Sequence, residues 1–139
     1  MLIASAVISA DTVYSGNLVK AAKNTDLLIH DALSIELLMM VAEAQTEAGN
    51  PARGKILADV HDYHATAPQA ADAARQAGAR ALALTHVVPP LPLKGLEDIY
   101  LADAPDRFDG PLWIAADGDL YSLPAAGGLK RSNLISRRR

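Results

Sequence analysis

Short apolar runs alternate with helical patterns at the start of the chain. Leu2 to Ser9 is an apolar run that stops at Asp11, which is typical of a buried strand that delivers polar groups at its carboxyl end. Ser15 is placed to cap a helix over Asn17 to Ala22, and Asp26 to His30 has the pattern of a second strand. The chain therefore begins with the predicted order strand, helix, strand.

The middle of the chain predicts two more helices. Apolar side chains recur at three- and four-residue spacing over Ile35 to Ala48, which indicates an amphipathic helix. Gly54 to Tyr63 has no clear period and is predicted to be irregular. The next helix begins at Thr66 or Ala67 and ends at Gly78.

The last third predicts a strand, a short helix and a hairpin. Ala81 to Thr85 is the strand, a proline-rich turn follows, and Gly95 to Ala102 is the helix. The Asp-Gly pair at 117–118, between the apolar runs Pro111 to Ala115 and Leu120 to Leu123, predicts two antiparallel strands. Alternating strands and helices indicate an α/β layer architecture, in which ligands gather at the carboxyl ends of the strands.

Composition limits the core and the possible metal ligands. Hydrophobic residues make up 50% and charged residues 21% of the 139 positions, which excludes a largely disordered chain. The single Trp, single Phe and four Tyr leave an aliphatic core and few stacking platforms for single-stranded nucleic acid. Because the chain has no cysteine, any metal must be held by histidine and carboxylate.

The charge distribution predicts weak attraction for nucleic acid. The net charge is −3, and no basic stripe interrupts residues 1–124, which we expect to form one partial domain. The basic segment 125–139 is expected to be a loose, solvated tail. The apolar start lacks a basic region and is too short to span a bilayer, so a cytoplasmic location without membrane contact is predicted.

Ionisable side chains cluster where the predicted strands end. Asp11, His30 with Asp31, and His86 lie at strand ends, and His64 lies in a loop before a helix. Individually, each has an ordinary explanation, such as a turn cap for Asp11 or a buried core histidine for His30. Together, imidazole and carboxylate groups from separate loops are the ligands that zinc uses in the absence of thiolates.

Four segments in this order carry a family resemblance. They are Ile8–Thr12, Asp26–Ala32, Tyr63–Thr66 and Leu84–His86. The order resembles the metallo-β-lactamase superfamily, in the branch of ribonuclease Z and arylsulfatase-like hydrolases, with its Gly-Asp-Thr, His-Glu-Ala, His-Ser-Thr and Leu-Thr-His motifs. The resemblance extends to about Pro124 and implies an α/β fold, the carboxy-terminal part of a four-layered αββα sandwich.

The resemblance implies a dinuclear metal site and roles for the matching residues. Asp11 would bridge two metal ions, and His86 would be a terminal ligand of one of them. His64 would be a non-ligand catalytic histidine near the scissile group, held by Asp31. Three further residues are expected in supporting positions: His30, Thr12 and Thr85. The expected ions are zinc, or possible substitutes manganese or iron, and the expected substrate is a small molecule or a phosphodiester; nucleic acid is implied by the family alone.

The chain departs from the family pattern at three places. Ala10 stands where the motif has Gly, and Asp31 stands where it has the longer Glu that contacts the catalytic histidine. The His-x-His-x-Asp-His loop, which supplies most of the metal ligands, does not occur in this sequence. We therefore expect a metal-dependent hydrolase that is incomplete, with absent or very weak activity in this chain alone.

Two other functions are open at this point. In the first, the chain is a non-catalytic remnant or a truncated product that self-associates or needs the missing amino-terminal half as a partner. Less well supported is a small phosphoacceptor signalling module built on Asp11 and Thr85, because Lys94 follows a proline-rich turn and is poorly placed to complete such a site.

Overall fold

The centre of the protein, seen in a computed structural model that describes residues 4–124 and 127–135, is a parallel sheet. Its strands are β1 (Ala6–Ile8), β2 (Leu27–Leu33), β3 (Leu82–Val88) and β4 (Leu112–Ile114), and they lie side by side in this order. Because the strands are parallel, their carboxyl ends meet at one edge of the sheet, here called the carboxyl edge. The opposite end is called the amino edge.

Helices of the described residues join the strands and cover one face of the sheet. They are α1 (Gly16–Ala21), α2 (Ile35–Glu47), α3 (Pro51–Asp59), α4 (Ala67–Ala77), α5 (Glu97–Leu101) and α6 (Ala104–Arg107). The clearest boundaries are those of α4, where Thr66 and Gln69 form a capping box and Gly78 ends the helix with a φ of 66°. The α/β class predicted from the sequence is confirmed.

The main core lies between α4 and the sheet. One side of α4 is lined by buried alanines: Ala67, Ala70, Ala71, Ala73, Ala74 and Ala77. These small side chains allow the helix backbone to pack closely, and Leu28, Leu82 and Leu84 fill the space on the sheet. The expected aliphatic core is therefore present, with Tyr100 as its largest fully buried side chain.

The predicted hairpin near the end of the chain is wrong. β4 pairs with β3 in parallel, whereas β5 (Asp119–Ser122) pairs antiparallel with β6 (Lys130–Asn133). The Asp-Gly signal does mark a turn, since Gly118 has a φ of 84°. A turn signal predicts where the chain reverses but not which strand pairs with which. Here β4 pairs with β3 and so extends the four-stranded sheet instead of pairing with β5.

The stretch predicted as a loose tail contains the ordered strand β6. Its backbone pairs with β5, and the Arg131 guanidinium lies 2.7 Å from the nearly buried carboxylate of Asp119. Arg131 therefore neutralises a specific acid, which a count of charges could not reveal. Residues 125–126 and the basic end at 136–139 lie outside the described residues, as do Leu2 and Ile3 of the predicted first strand.

The segment predicted to be irregular is mostly helical. It forms the end of α3 and a 3-10 turn, Val60–Asp62. A Cβ at Gly54 would collide with Thr46 and with the carbonyl oxygen of Ala42, so this glycine allows α3 to approach α2 closely. Tertiary packing thus overrides the weak local pattern. None of the described helices is long and apolar enough to cross a membrane.

Candidate metal centre

Asp11 follows β1 in a turn with an unusual backbone. Ala10 has a φ of 56°, in the left-handed region that favours glycine, and Asp11 itself is exposed over 61% of its side chain. Ser9 secures this turn to β2, because its hydroxyl donates to the carbonyl oxygen of Ala10 at 2.7 Å and accepts from the backbone N–H of Asp31 at 3.2 Å. The turn therefore presents Asp11 at the carboxyl edge.

Asp31, on β2, forms the buried support of the site. Its Oδ2 accepts a hydrogen bond from His64 Nδ1 at 2.8 Å, and its Oδ1 accepts from the backbone N–H of Thr12 at 3.3 Å. The shorter acid at this position thus still reaches the histidine. Burial raises the pKa of Asp31, but hydrogen bonds from His30 and His64 lower it more, so the carboxyl pKa is below its ordinary value.

His30 is completely buried beside Asp31. Its Nδ1 donates to the carbonyl oxygen of Asp31 at 2.7 Å and lies 3.0 Å from Asp31 Oδ1. Its Nε2 is buried without a hydrogen-bond partner among the described residues. His30 therefore stands behind the site, on the far side of Asp31 from His64, as a support and not as a group that faces solvent.

A bulge in β3 aims His86 toward Asp11. Asp31 is opposite Thr85, but the next residue of β2, Ala32, is opposite Val87, so the register skips His86. His86 has a φ of 48°, and its Nε2 lies 3.8 Å from Asp11 Oδ2. Bulges commonly redirect a side chain in this way next to functional sites. The ring of His86 also lies 5.1 Å from the ring of His64, centroid to centroid.

The structure brings together Asp11, His64 and His86. Each offers one ligand atom, and these atoms lie within 4.8 Å of one another. A carboxylate and two imidazoles are a suitable donor set for zinc, or for manganese or iron, so these residues fit the expected metal. Their roles as ligand or catalyst stay predictions. The fourth histidine, His61, lies outside this group and contacts Asp62 on the exposed 3-10 turn.

The two expected supporting threonines differ in position. Thr12 contributes its backbone N–H to Asp31, while its hydroxyl donates to the carbonyl oxygen of Val13 at 3.0 Å. Thr85 lies opposite Asp31 in the register of β2 and β3. Lys94, considered for a phosphoacceptor site, is exposed in the turn 93–95 beside Glu97.

Two residues near the site were not predicted from the sequence. Ser9 joins the Asp11 turn to β2, and the only indication of this role in the sequence is its position two residues before Asp11. Tyr100 is buried, and its hydroxyl donates to the carbonyl oxygen of Ala32 at 2.6 Å, just beyond Asp31 on β2. Burial raises the pKa of Tyr100 far above its ordinary value, so the phenol remains a donor. Its sequence position in a short helix gave no sign of this contact.

Comparison with known proteins shows similarity to parts of longer proteins. The chain is 38% identical over 112 residues to a ribonuclease Z of Haloarcula marismortui, which covers 81% of this chain and 30% of the relative. It is 36% identical over 122 residues to a ribonuclease Z of Myxococcus xanthus, covering 85% and 32%. The chain thus spans about a third of the length of these curated relatives.

A solved structure has a similar fold. The metallo-β-lactamase fold protein YhfI from Bacillus subtilis superposes with a TM-score of 0.54 at 22% identity, covering 93% of this chain and 40% of that protein. No family model matches the sequence.

Proposed function

The chain belongs to the metallo-β-lactamase superfamily and forms the carboxy-terminal part of that fold, and from this premise we propose that it supplies one side of a hydrolytic metal site. The observation that carries the proposal is the convergence of Asp11, His64 and His86 at the carboxyl edge. The proposed reaction is hydrolysis of a phosphodiester. RNA is the candidate substrate, because the curated relatives carry the name ribonuclease Z.

Each residue has a proposed task. Asp11 and His86 hold the metal, and His64 gives a proton to the leaving oxygen from Nε2. Asp31 accepts the Nδ1 hydrogen of His64, which fixes the orientation of the ring. When bound, zinc, or manganese or iron in its place, lowers the pKa of water and polarises the phosphoryl oxygen.

An activated substrate tests the proposal on the chain itself. In bis(p-nitrophenyl) phosphate the leaving group needs no proton, so the assay depends on metal and water alone. With the unaltered chain, we expect slow zinc-dependent hydrolysis that is faster than hydrolysis by free zinc. In Asp11→Ala this rate should fall roughly tenfold or more, which is the size of effect seen when a residue that supports a bound metal is removed. A rate equal to that of free zinc, unchanged in Asp11→Ala, would contradict the proposal.

Matched controls define the substrate class. His61→Ala removes an exposed histidine outside the donor set and should leave the rate unchanged. Parallel assays with p-nitrophenyl sulfate and p-nitrophenyl acetate test the sulfate and carboxylic ester alternatives. Each zinc-dependent rate is divided by the rate of the same substrate with free zinc alone. A larger acceleration of the sulfate or the acetate would show that the phosphodiester is not the preferred substrate.

The remaining metal ligands are proposed to come from residues outside this sequence. A His-x-His-x-Asp-His loop, on a longer product of the same gene or on a partner chain, would supply them. Reading the DNA upstream of Met1 in all frames tests the first source. Finding no such loop there would favour the partner chain or the non-catalytic remnant.

The second face of the sheet is the proposed contact surface for that partner or for a second copy. β1 exposes Ile8 over 68% of its surface, although the β5 and β6 segment covers Leu27 and Ala83 nearby. Light scattering on the purified chain should give a dimer or larger species. A clean monomer would count strongly against this surface. The cytoplasmic location stays a prediction that cell fractionation can test.

A further inference from the structure

Tyr63 is an exposed aromatic residue directly before His64 in the chain. It is 63% exposed, which is more than any other Phe, Tyr or Trp of this protein. We propose that Tyr63 and Lys55 bind one nucleotide of a single-stranded RNA substrate, with the base stacked on the Tyr63 ring and the phosphate paired with the Lys55 ammonium group. The inference rests on the proposed function and names residues that select its substrate.

The backbone fixes where Tyr63 lies. Its N–H donates to the carbonyl oxygen of Val60 at 3.2 Å and closes the 3-10 turn. Two residues further on, the carbonyl oxygen of Ala65 accepts from the backbone N–H of Leu33 at 2.9 Å, at the end of β2. Because consecutive Cα atoms are about 3.8 Å apart, Tyr63 is held beside His64, the proposed proton donor.

The ring of Tyr63 is available to contact a substrate. The other three tyrosines each use their hydroxyl group as a donor within the fold: Tyr14 to Gln76, Tyr100 to the carbonyl oxygen of Ala32, and Tyr121 to Asp119. The hydroxyl of Tyr63 bonds to no described residue. Aromatic rings exposed in this way bind single strands, because every base has a face on which they can stack.

Lys55 lies near Tyr63 and can supply a positive charge. Its Nζ is 2.8 Å from Asp59 Oδ2, and this contact is the main reason why the pKa of Lys55 is raised. The phenol of Tyr63 raises this pKa further, which places the two side chains near one another. Lys55 and Asp59 are exposed over 76% and 51% of their side chains, so water weakens their pairing and a phosphate can replace Asp59.

The charges near Tyr63 fit one nucleotide and not a long duplex. Duplex RNA is recognised through its backbone over many base pairs, which requires several cations on one surface. Four of the arginines are instead paired with acids elsewhere in the fold: Arg75, Arg80, Arg107 and Arg131. One lysine beside one exposed ring is suited to a single base and its phosphate.

Tyr63 remains accessible when the rest of the metal site is added. The partner is proposed to cover the second face of the sheet, whereas α3 packs on α2 in the helical layer of the other face. His64 is proposed to protonate the leaving oxygen, so the nucleotide at Tyr63 is the one that carries this oxygen. The base of the leaving nucleotide is therefore the base that this contact binds.

Binding of RNA to the metal-free chain tests the inference separately from hydrolysis. The probe is a short fluorescein-labelled oligouridylate, measured by fluorescence anisotropy in the presence of a chelator. Tyr63→Ala should weaken binding at least about fivefold, as for the loss of one stacked base, whereas Tyr63→Phe keeps the ring and should bind normally. Tyr14→Ala, a matched removal of a tyrosine that is bonded to α4, should bind as the unaltered chain does.

The salt dependence of binding tests Lys55. Lys55→Ala should reduce the slope of log affinity against log salt by about 0.7, the contribution of one phosphate contact in a single strand. Asp59→Asn leaves Lys55 unpaired and should tighten binding by up to about fivefold. Lys23→Ala, which removes an exposed lysine after α1, should change neither quantity. An unchanged slope in Lys55→Ala would overturn the phosphate contact.

An abasic oligomer separates stacking from a general effect on the fold. It has the same phosphates but no bases, so the unaltered chain should bind it as weakly as Tyr63→Ala does. Nuclear magnetic resonance on the unaltered chain gives a measurement that needs no variant. Oligouridylate should move the ring signals of Tyr63 upfield, because a base stacks on it, and leave those of Tyr14 in place.

The outcomes distinguish this inference from the proposed function. Equal binding of oligouridylate by Tyr63→Ala and the unaltered chain, unmoved Tyr63 signals, or no RNA binding overturns the inference and leaves the hydrolase proposal standing. RNA bound at Tyr63, together with zinc-dependent hydrolysis no faster than that of free zinc, supports the inference and contradicts the hydrolase proposal.

Discussion

At the amino edge of the sheet polar groups are paired with one another, whereas at the carboxyl edge they converge and remain open. Asp26 accepts from Arg80 at 3.0 Å and from the backbone N–H of Ser5 at 2.9 Å. Asp11 and His86, at the other edge, lie 3.8 Å apart with half or more of each side chain exposed. Paired groups hold the fold together, and open ones can accept a ligand.

The two edges also differ in which residues adopt positive φ. At the amino edge these are Asn24, with a φ of 56°, and Gly78, with a φ of 66°, and both residue types tolerate this region. At the carboxyl edge Ala10 has positive φ, which its Cβ disfavours sterically. A strained conformation at Ala10 is retained where it presents Asp11, which is what a functional turn requires.

Removing Asp31 should cause the largest loss of stability at the carboxyl edge. Asp31→Ala leaves the Nδ1 hydrogen of His64 without its acceptor and removes the buried carboxylate beside His30, although His30 Nδ1 keeps the backbone carbonyl oxygen of residue 31. We therefore expect the free energy of unfolding to fall by about 3 kcal/mol. Urea unfolding measures it. Asp31→Asn keeps the volume and one acceptor and should lose less. A loss below about 1 kcal/mol in Asp31→Ala would show that Asp31 is not a structural support.

The carboxylate of Asp31 should also make the free energy of unfolding depend on pH. The pKa of Asp31 is lowered in the folded chain, because hydrogen bonds from His30 and His64 outweigh the effect of burial. The stabilisation is therefore present above the unfolded pKa of about 3.9 and is lost as the pH falls through the lower folded pKa. The carboxyl pKa is also lowered in the folded chain at Asp26, Asp72 and Asp119. Urea midpoints measured from neutral to acid pH should fall less steeply in Asp31→Asn.

At the amino edge, Thr25→Val should lower stability without changing metal binding. Thr25 is buried, and its hydroxyl donates to the carbonyl oxygen of Ser5 at 3.0 Å. The Ser5 carbonyl oxygen still accepts from the backbone N–H groups of Asp26 and Leu27, so loss of this one hydrogen bond should cost about 1 kcal/mol in urea unfolding. Zinc affinity should be unchanged, and a tenfold fall would break the separation between the two edges.

Ala10→Gly should stabilise the chain slightly. Relief of the left-handed strain is worth roughly 1–2 kcal/mol, and the greater freedom of unfolded glycine removes part of it, so a gain of about 0.5–1 kcal/mol is expected. Ala44→Gly, at an exposed position within α2, is the matched control and should instead lose about 0.5–1 kcal/mol. Equal losses in both variants would mean that Ala10 is not strained.

The smallest effect is expected for Arg80→Ala. The guanidinium of Arg80 is exposed over 68% of its side chain, and solvent weakens its pairing with Asp26. Neither the urea midpoint at neutral pH nor the zinc affinity should change measurably. A clear loss of stability would show that the amino edge depends on this pair more than its exposure allows.

The local pattern of the sequence was sufficient for most helices and strands, and for the residues at their ends. The capping residues Ser15 and Thr66 and the terminating Gly78 marked true helix boundaries because these interactions span only a few residues. The irregular prediction over Gly54 to Tyr63 failed because close packing of α3 on α2, through a glycine, is a contact between elements.

Sequence by itself determined the alternating α/β order and which side chains could carry chemistry, since period, capping and residue type are local properties. Only the tertiary structure decided that β4 joins β3, that β6 pairs with β5 and that the register of β2 and β3 skips His86. It also decided the contact between Asp31 and His64, which are 33 residues apart. Such choices depend on competition among distant partners for buried hydrogen bonds and apolar surface, which no local pattern contains.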